Sequence, residues 1–379
     1  MYDTNNKIFI IAGETSGDIH AALLVKNILK RRDNVSFYGI GGRNLADNGV
    51  ELIFNYKDVN FIGFVSILKN IFQLRKIFSA TINKILEINP EVIVLVDFPG
   101  FNLRIIKKLK KYYKGKIIYY ISPQLWAWHK SRIKLIKECV NRMLVIFPFE
   151  VEFYEKEGVK ADFVGHPLKD KVLNFLNNNA KEKRNRSRIT LLPGSRIEEV
   201  IKILPIMSDA ALRLKDTFSA DLFILCSENI DVNLIKEIVN ESSFSIIRKK
   251  DESDEENYKA LLNSDFVITK SGTSNLECCL IGAPFCLVYN TNIINYLLGK
   301  FLIKVKYLSI VNILAGKKIV EEFIQKDFTI DNIYSEGYKI ITNNKYTENM
   351  KKNFDDVREN LFNPNISTKA EEIICEYLK

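Results

Sequence analysis

The sequence predicts an α/β protein with two doubly wound, parallel-sheet domains. The first observation is that apolar runs of strand length recur along the whole chain. The second is that amphipathic, helix-length segments separate them, so the strands are expected to be parallel and covered by helices on both faces. The third is that Gly, Ser and Thr follow several of these runs, at the strand ends where open α/β sheets bind ligands.

The apolar runs divide between the two halves of the chain. The first half contains KIFIIAG (7–13), VSFYGIG (35–41), EVIVLVDF (91–98), KIIYYIS (116–122) and RMLVIF (142–147). The second half contains RITLLPG (188–194), DLFILCS (221–227), FSIIRK (244–249), DFVITKSG (265–272) and APFCLVY (283–289). Each half is therefore predicted to be a Rossmann-like sheet. We expect the strands to stop after residue 291 and helices to complete the chain.

A polar segment without periodicity, LNNNAKEKRNRSR (176–188), lies between the two sets of strands and is the strongest boundary signal. With the crossing placed near VGHPL, we assign residues 1–165 to the first domain and 166–366 to the second. We hypothesise that the last helix, about 367–379, packs back on the first domain. Two such domains are expected to face a shared cleft with the carboxyl ends of their strands.

Composition excludes several classes of protein. The chain has 379 residues, 47% of them apolar and 27% charged, as is ordinary for a globular protein of two domains. A signal peptide and a membrane-spanning helix are not expected. The six cysteines form no Cys-x-x-Cys pair and the three histidines are scattered, so neither a zinc site nor any other metal site is predicted. These features indicate a cytoplasmic protein.

The net charge of +9 suits nucleic acid, an anionic membrane or phosphorylated small molecules, and does not choose among them. No RNP, zinc-finger or helix-turn-helix signature is present, so a nucleic-acid partner is not expected.

Two glycine-containing loops follow strands of the first half. GETSGD (13–18) lacks the third glycine of a dinucleotide fingerprint and the Lys-Ser/Thr of a P-loop, and GIGGRN (39–44) ends in Asn44. The carboxylates of Glu14 and Asp18 argue against phosphate at the first loop. The alternative interpretation is a tight βα turn with acidic residues at a helix N-terminus.

Two loops of the second half suit a nucleotide. In LLPGSR (191–196), the backbone of Gly194 and Ser195 and the guanidinium of Arg196 would converge at a helix N-terminus on a diphosphate, although an ordinary capped helix would show the same pattern. The other loop ends the strand 265–272. It has small, hydroxylated residues at its helix start, namely Ser271, Gly272, Thr273 and Ser274. Glu277, one turn later, could accept hydrogen bonds from both ribose hydroxyls.

The candidate general base is Asp97, which ends an apolar strand. It could instead cap the helix that follows. His20 is the rival base, although a surface or packing role suits it equally. His166 is expected to be structural. Trp126 and Trp128 are expected to pack against the cleft floor rather than stack on a base.

Taken together, these motifs resemble those of the lipid-A-disaccharide synthases, inverting glycosyltransferases of family 19 with the GT-B architecture. The matching segments occur in the family's order over nearly the whole chain: GETSGD (13–18), GIGG (39–42), DFPGFN (97–102), ISPQLWAWHKSRI (121–133), FVGHPL (163–168), LLPGSR (191–196), SGTSNLE (271–277) and VNILAG (311–316). The chain departs from the family at Ile310-Val311-Asn312, where Leu-Pro-Asn is usual, and at EEF (321–323), where many members have Pro-Glu-Leu.

The resemblance implies transfer of 2,3-diacylglucosamine from its UDP derivative to the 6-hydroxyl of 2,3-diacylglucosamine 1-phosphate, with no cofactor or metal. It implies that the first domain handles the acceptor, with Glu14, Ser16 and Asp18 lining that side. Asp97, Glu14 and His20 are the catalytic candidates. The second domain is then the UDP-sugar domain, and Asn312 joins its loops at the donor site.

Substrates with acyl chains imply a peripheral enzyme on the inner face of the inner membrane. The stretch 60–86 has an apolar helical face bordered by four basic residues and no acidic ones, and 295–308 is similar, which is typical of interfacial helices. Both stretches could instead simply cover the sheets.

Two alternatives remain at this point. One is another GT-B enzyme of UDP-sugars, such as a glycolipid N-acetylglucosaminyltransferase or a UDP-sugar 2-epimerase. The other is a non-catalytic module that binds nucleotides or nucleic acid. The pair PQLWAW and GETSGD favours the synthase.

Overall fold

The computed structural model describes residues 6–59, 71–126, 132–228, 230–239, 241–248, 255–291, 306–363 and 369–378. The chain divides into two compact units. The first comprises Met1–Pro167 and Asn363–Lys379, and the second comprises Leu168–Phe362. The polar segment 176–188 therefore lies inside the second unit rather than between the two, because the second unit already begins at Leu168 and the segment starts within the helix Lys169–Asn178.

Every strand among the described residues is parallel to its neighbours. The first unit contains β1 (Asn6–Ala12), β2 (Val35–Gly41), β3 (Val50–Asn55), β4 (Val92–Val96), β5 (Lys116–Tyr120), β6 (Arg142–Val145) and β7 (Ala161–Phe163). The second contains β8 (Arg188–Leu192), β9 (Asp221–Cys226), β10 (Phe244–Arg248), β11 (Phe266–Lys270), β12 (Phe285–Tyr289) and β13 (Glu322–Ile324). The sheet orders are β3-β2-β1-β4-β5-β6-β7 and β10-β9-β8-β11-β12-β13.

The described helices connect these strands. They are α1 (Thr15–Leu29), α2 (Arg43–Asp47), α3 (Tyr56–Val59), α4 (Ile71–Ile88), α5 (Pro99–Leu109), α6 (Ile133–Cys139), α7 (Pro148–Lys156), α8 (Lys169–Asn178), α9 (Ile197–Phe218), α10 (Val232–Ile238), α11 (Glu255–Leu262), α12 (Thr273–Ile281), α13 (Ile310–Ala315), α14 (Ile330–Thr342), α15 (Asn344–Phe362) and α16 (Ala370–Cys375). The predicted fold class of two doubly wound α/β units is thus confirmed.

All ten predicted strands are present, and the expectation that strands stop after residue 291 is wrong. β13 extends the second sheet by pairing with β12 at Leu287↔Glu322. β3 and β7 were also not predicted. All three lie at sheet edges, where one side of the strand is unpaired and a continuous apolar run is not required.

The central strands form the cores. All five residues of β4 are completely buried, and β1 is buried from Ile8 to Ala12. Such β-branched and aliphatic runs, covered on both faces, are what a parallel sheet demands.

The last helix completes the core of the first unit. Ile373 and Ile374 of α16 belong to the same buried cluster as Ala21 and Val25 of α1. At its edge, Arg31 pairs with Glu372 at 2.5 Å. In the described part of the chain, no helix is both long and apolar enough to cross a membrane.

Candidate functional site

The candidate site of the first unit is a strained elbow at the carboxyl end of β4. Asp97 has φ 42° and Phe98 has φ 47° and ψ 54°, so two successive residues that are not glycine adopt the left-handed conformation. Pro99 then begins α5. Such a conformation is costly and persists only where surrounding contacts impose it. The elbow presents the Asp97 carboxylate at the edge of the sheet where ligands bind.

Buried polar groups impose this conformation. The Asp97 carbonyl accepts hydrogen bonds from Asn102 Nδ2 and Tyr119 Oη, both at 2.7 Å. Both donors are completely buried. The Asp97 N–H donates to the Tyr120 carbonyl at 3.1 Å. Because three hydrogen bonds fix the Asp97 backbone, its side chain has few alternative directions.

The elbow rests directly on the GETSGD turn. The Phe98 ring lies against the backbone of Gly13, where an added Cβ would overlap the ring. Gly13 is therefore required for this close approach. The two motifs, 84 residues apart in sequence, form one surface.

The electrostatic surroundings suit Asp97 as a base. Burial, together with the nearby carboxylate of Glu14, raises the pKa of Asp97 from 3.8 to about 6, against a smaller lowering by the Phe98 N–H. Glu14 is exposed and stands at the N-cap position of α1 without a capping hydrogen bond from its side chain. An aspartate with this pKa is ionised at neutral pH yet more basic than an exposed one, as a general base requires.

Asp18 is buried in the structure and has a clear structural role. Its oxygens accept hydrogen bonds from the backbone N–H groups of Gly42 (2.6 Å), Asn44 (3.1 Å) and Leu45 (3.3 Å), and from Asn44 Nδ2 (3.1 Å). It thus caps α2 and holds the GIGGRN loop. Ser16 is exposed on the first turn of α1. The sugar-binding role predicted for both residues stays a prediction, and the geometry favours it only for Ser16.

The two described histidines are neighbours. Burial, and to a smaller extent the charge of His20, lower the pKa of His166 to about 3, so His166 is neutral at physiological pH. Its ring lies 5.4 Å from that of Phe147. This packing agrees with the structural role expected for His166. His20 is partly buried on α1, and its catalytic role stays a prediction.

A buried network holds the PQLW segment and was not predicted. The Glu150 carboxylate, 1% exposed, accepts hydrogen bonds from Ser122 Oγ (2.7 Å), Trp126 Nε1 (3.0 Å) and the Phe147 N–H (3.1 Å). Tyr154 Oη donates to Ser122 Oγ at 3.3 Å. Burial raises the pKa of Glu150 to about 7. Trp126 is thus fixed through its indole N–H. One local sequence pattern pointed to part of this network: Glu150 is the third residue of α7, the position from which a glutamate accepts a hydrogen bond from the N-cap N–H.

The candidate site of the second unit lies at the carboxyl ends of β8 and β11. These strands are hydrogen-bonded neighbours with Leu192 opposite Thr269, so the loops that follow them emerge side by side. Gly194 has φ 110°. Arg196 is the exposed N-cap of α9 and makes no capping hydrogen bond with its side chain. The first-turn N–H groups of a long helix and a guanidinium are therefore presented together, as an anion site requires.

A carboxylate joins two cations at these loops. Glu199 Oε1 lies 3.2 Å from Arg196 Nη1, and Glu199 Oε2 lies 2.9 Å from Lys270 Nζ. Lys270 ends β11 immediately before the SGTS loop. Neither Glu199 nor Lys270 was singled out from the sequence, because their contact joins residues of two different strand ends.

The SGTS loop begins α12. Gly272 is its N-cap, Gly272 and Thr273 are exposed, and Ser271 and Ser274 are partly buried. Glu277 follows one turn later, and its Oε1 accepts a hydrogen bond from Tyr258 Oη at 3.4 Å. The small, exposed loop residues allow close approach of a ligand, and Glu277 lies on the same helix.

Asn312 is completely buried and bonded at both ends of its amide. Its Nδ2 donates to the Val320 carbonyl (3.0 Å) and Glu322 Oε1 (2.8 Å), and its Oδ1 accepts from the N–H groups of Ile319 (2.7 Å) and Val320 (3.0 Å). Glu322 also accepts from the Ser309 N–H at 3.0 Å. Asn312 therefore clamps α13 to the edge strand, and its contact with the donor stays a prediction.

Parts of the predicted membrane stretches lie outside the described residues. These parts are 60–70 and 295–305, and Trp128 also lies outside. In the described remainder of 60–86, Ile77, Thr81 and Ile85 of α4 are buried, which shows that this part of the apolar face packs onto the first unit. Arg75 and Lys76 are exposed beside it.

Comparison with known proteins identifies relatives along the whole chain. The model of the lipid-A-disaccharide synthetase family matches residues 8–376. The lipid-A-disaccharide synthase of Geobacter metallireducens is 34% identical over 382 residues, covering 99% of this chain and 98% of that protein. Lipid-A-disaccharide synthase 1 of Legionella pneumophila (strain Lens) is 37% identical over 328 residues, covering 85% and 84%.

Among solved structures, UDP-GlcNAc 2-epimerase from Neisseria meningitidis bound to UDP-GlcNAc superposes with a TM-score of 0.66 at 13% identity, covering 98% of this chain and 99% of that one. MurG from Acinetobacter baumannii superposes with a TM-score of 0.57 at 12% identity, covering 98% and 99%. At this identity the likeness concerns the fold alone, which is that of GT-B glycosyltransferases and UDP-sugar epimerases.

Proposed function

Since the chain belongs to the lipid-A-disaccharide synthetase family and is a glycosyltransferase of lipid A synthesis, we propose that it transfers 2,3-diacylglucosamine from its UDP derivative to 2,3-diacylglucosamine 1-phosphate. The new bond joins the donor's anomeric carbon to the acceptor's 6-oxygen with inversion of configuration, and UDP is released. The observation that carries this proposal is the strained elbow at Asp97 beside Glu14, within motifs of a family that matches residues 8–376.

Asp97 acts as the general base in this mechanism. Its carboxylate takes the proton of the acceptor's 6-hydroxyl while the oxygen attacks the anomeric carbon and the bond from that carbon to the UDP oxygen breaks. The pKa of about 6 supports this role, because the group is ionised at neutral pH and still accepts a proton readily. A positioned base typically contributes about 10²–10⁴-fold in rate. His20 is the candidate that takes over this role if Asp97 does not hold it.

The second unit stabilises the leaving group. The exposed guanidinium of Arg196, the backbone at Gly194 and Ser195, and the start of α12 face the developing charge on the diphosphate. Glu277 accepts hydrogen bonds from the ribose hydroxyls. A cation and two helix N-termini can stabilise a diphosphate leaving group, so we propose that no metal ion is required.

The acceptor is held by the first unit. Glu14 and Ser16 are exposed at the start of α1 and bind sugar hydroxyls. Asp18 contributes by holding the adjacent GIGGRN loop in place. The acyl chains remain at the inner face of the inner membrane, where exposed Arg75 and Lys76 attract anionic headgroups at about 1 kcal/mol each.

Turnover in detergent tests this function. The purified full-length protein is given both diacylglucosamine substrates with and without EDTA, alongside Asp97→Asn and the control Asp47→Asn, whose carboxylate is exposed on α2. We expect disaccharide from the wild type and the control, no effect of EDTA, and a loss of about 10²–10⁴-fold in Asp97→Asn.

Three outcomes would contradict parts of the proposal. An active Asp97→Asn would move the base to His20 or Glu14. Inhibition by EDTA that added Mg²⁺ reverses would overturn the metal-free mechanism. Release of UDP from another UDP-sugar, with no disaccharide formed, would replace the reaction by that of another UDP-sugar enzyme.

A further inference from the structure

Two side chains beside the proposed diphosphate site have no role in the mechanism above. Lys270 ends β11 and Glu199 lies in the first turn of α9, 71 positions apart in sequence. Their charged atoms are 2.9 Å apart, and the two side chains are only 17% and 20% exposed. A mostly shielded pair at the mouth of an anion site needs an explanation beyond stability, because such pairs gain little stability once desolvation is counted.

The backbone is shaped around this pair. Gly194 adopts φ 110°, and a Cβ built there would lie 3.3 Å from Glu199 Oε2 and 3.4 Å from Lys270 Cδ. The left-handed glycine therefore leaves the space in which the two side chains meet. The meeting point is at the loop proposed to hold the diphosphate.

The charges at this point do not balance. Glu199 divides its two oxygens between Lys270 Nζ at 2.9 Å and Arg196 Nη1 at 3.2 Å. These three contacting side chains thus carry two positive charges and one negative charge. Glu198, the other carboxylate of this helix turn, is exposed. Arg196 is 68% exposed on its side chain and can reorient, whereas Lys270 is held.

A diphosphate can replace the Glu199 carboxylate as the partner of Lys270 and Arg196. It carries roughly two to three negative charges near neutral pH and offers several acceptor oxygens. Glu199 reaches both cations from within the chain and so occupies the electrostatic position that a diphosphate would take. On the premise of the proposed function, we infer that Lys270 is a second cationic ligand of the donor's diphosphate and that Glu199 is its counter-ion in the free enzyme, displaced when the donor binds.

Calorimetric titration of the full-length protein with UDP and with uridine tests this inference. Lys270→Met removes the proposed ligand, and a charge-assisted hydrogen bond is worth about 1.5–3 kcal/mol, so we expect the Kd for UDP to rise about 10- to 100-fold. The Kd for uridine, which has no phosphate, should change less than twofold. Lys259→Met is the matched control, because Lys259 pairs with Glu255 at 2.7 Å on α11 of the same unit; it should leave both affinities unchanged.

Glu199→Gln and the double variant separate a ligand from a structural pair. Removing the competing carboxylate should tighten UDP several-fold in Glu199→Gln. The double variant Glu199→Gln/Lys270→Met has neither charge of the pair and should bind UDP as weakly as Lys270→Met alone. If the pair is only structural, the double variant recovers wild-type affinity, which would overturn the inference. If Lys270→Met does not fold, the UDP affinity of the double variant is compared directly with that of the wild type.

Two further results would overturn the inference. One is a Lys270→Met protein that binds UDP as the wild type does. The other is a Lys270→Met protein whose affinities for UDP and for uridine fall by the same factor. Because this assay uses the donor product alone, a wild type that binds UDP through Lys270 but forms no disaccharide would refute the proposed reaction and leave the inference standing. A wild type that binds no UDP refutes both.

Discussion

Replacing Asp97 by Asn should make the first unit more stable while it abolishes the proposed base. Burial and Glu14 raise the pKa of this carboxyl from 3.8 to about 6. A raised pKa means that the folded state disfavours the ionised form. The native aspartate is therefore a source of instability at neutral pH, and a neutral amide of the same shape removes it.

The magnitude follows from the two pKa values. The folded state loses stability as pH rises from the unfolded pKa through the folded one, and the loss is complete above about pH 7. A shift of about 2 units corresponds to about 3 kcal/mol at pH 8, at about 1.4 kcal/mol per unit. At pH 5 the same linkage gives a cost of about 1.6 kcal/mol. Asp97→Asn should therefore be more stabilising at pH 8 than at pH 5 by about 1.4 kcal/mol.

Tryptophan fluorescence can isolate the unit concerned. Both tryptophans of the chain, Trp126 and Trp128, belong to the first unit, so urea unfolding followed by their emission reports on that unit. With a slope of about 2 kcal/mol per M, a gain of 3 kcal/mol raises the urea midpoint by about 1.5 M at pH 8. Asp47→Asn is the control, since its carboxylate is 65% exposed. An Asp97→Asn midpoint equal to the wild type at pH 8, or a gain that does not shrink at pH 5, would refute the reasoning.

Three further predictions follow from the same contacts. Gly13→Ala places a methyl against the Phe98 ring and should destabilise the first unit by about 1–3 kcal/mol, seen as a lower urea midpoint; an unchanged midpoint would contradict the packing. The kcat/KM of the wild type should fall as pH drops through about 6, because Asp97 becomes protonated. In Glu14→Gln this fall should occur at lower pH, because Glu14 raises the pKa of Asp97. A pH–rate profile whose acid limb is the same in both proteins would exclude this coupling. Asn312→Ala leaves buried N–H and C=O groups unpaired and should cost the second unit about 2–4 kcal/mol, measured by calorimetry, while tryptophan-detected unfolding stays as in the wild type.

The sheets and the positions of the loops could be predicted because they depend on local pattern. Continuous apolar runs determine buried parallel strands, and chain direction alone then determines which loops share the carboxyl edge. Asp97 and Arg196 could be placed at such edges for this reason.

Other features depend on contacts between distant residues and could not be read locally. The hydrogen bonds that Asp18 accepts from the N–H groups of Gly42 and Leu45 were not predicted, because the pairing of β1 with β2 brings these residues near Asp18. The left-handed conformation of Asp97 rests on Tyr119, which enters from the neighbouring strand β5. The edge strand β13 was not predicted because it has only three residues and pairs on one side only, which is too short for a recognisable hydrophobic pattern.

The return of the chain to its first unit has a consequence for synthesis. Since the first unit comprises Met1–Pro167 and Asn363–Lys379, the second is an insertion within it. Translation produces α16 after the whole of the second unit, so the groove on α1 that Ile373 and Ile374 fill stays open until α16 has been made. The inserted unit has its whole sequence before then and can fold first. A nascent chain that stops short of α16 would therefore carry a complete second unit and a first unit with an exposed apolar groove.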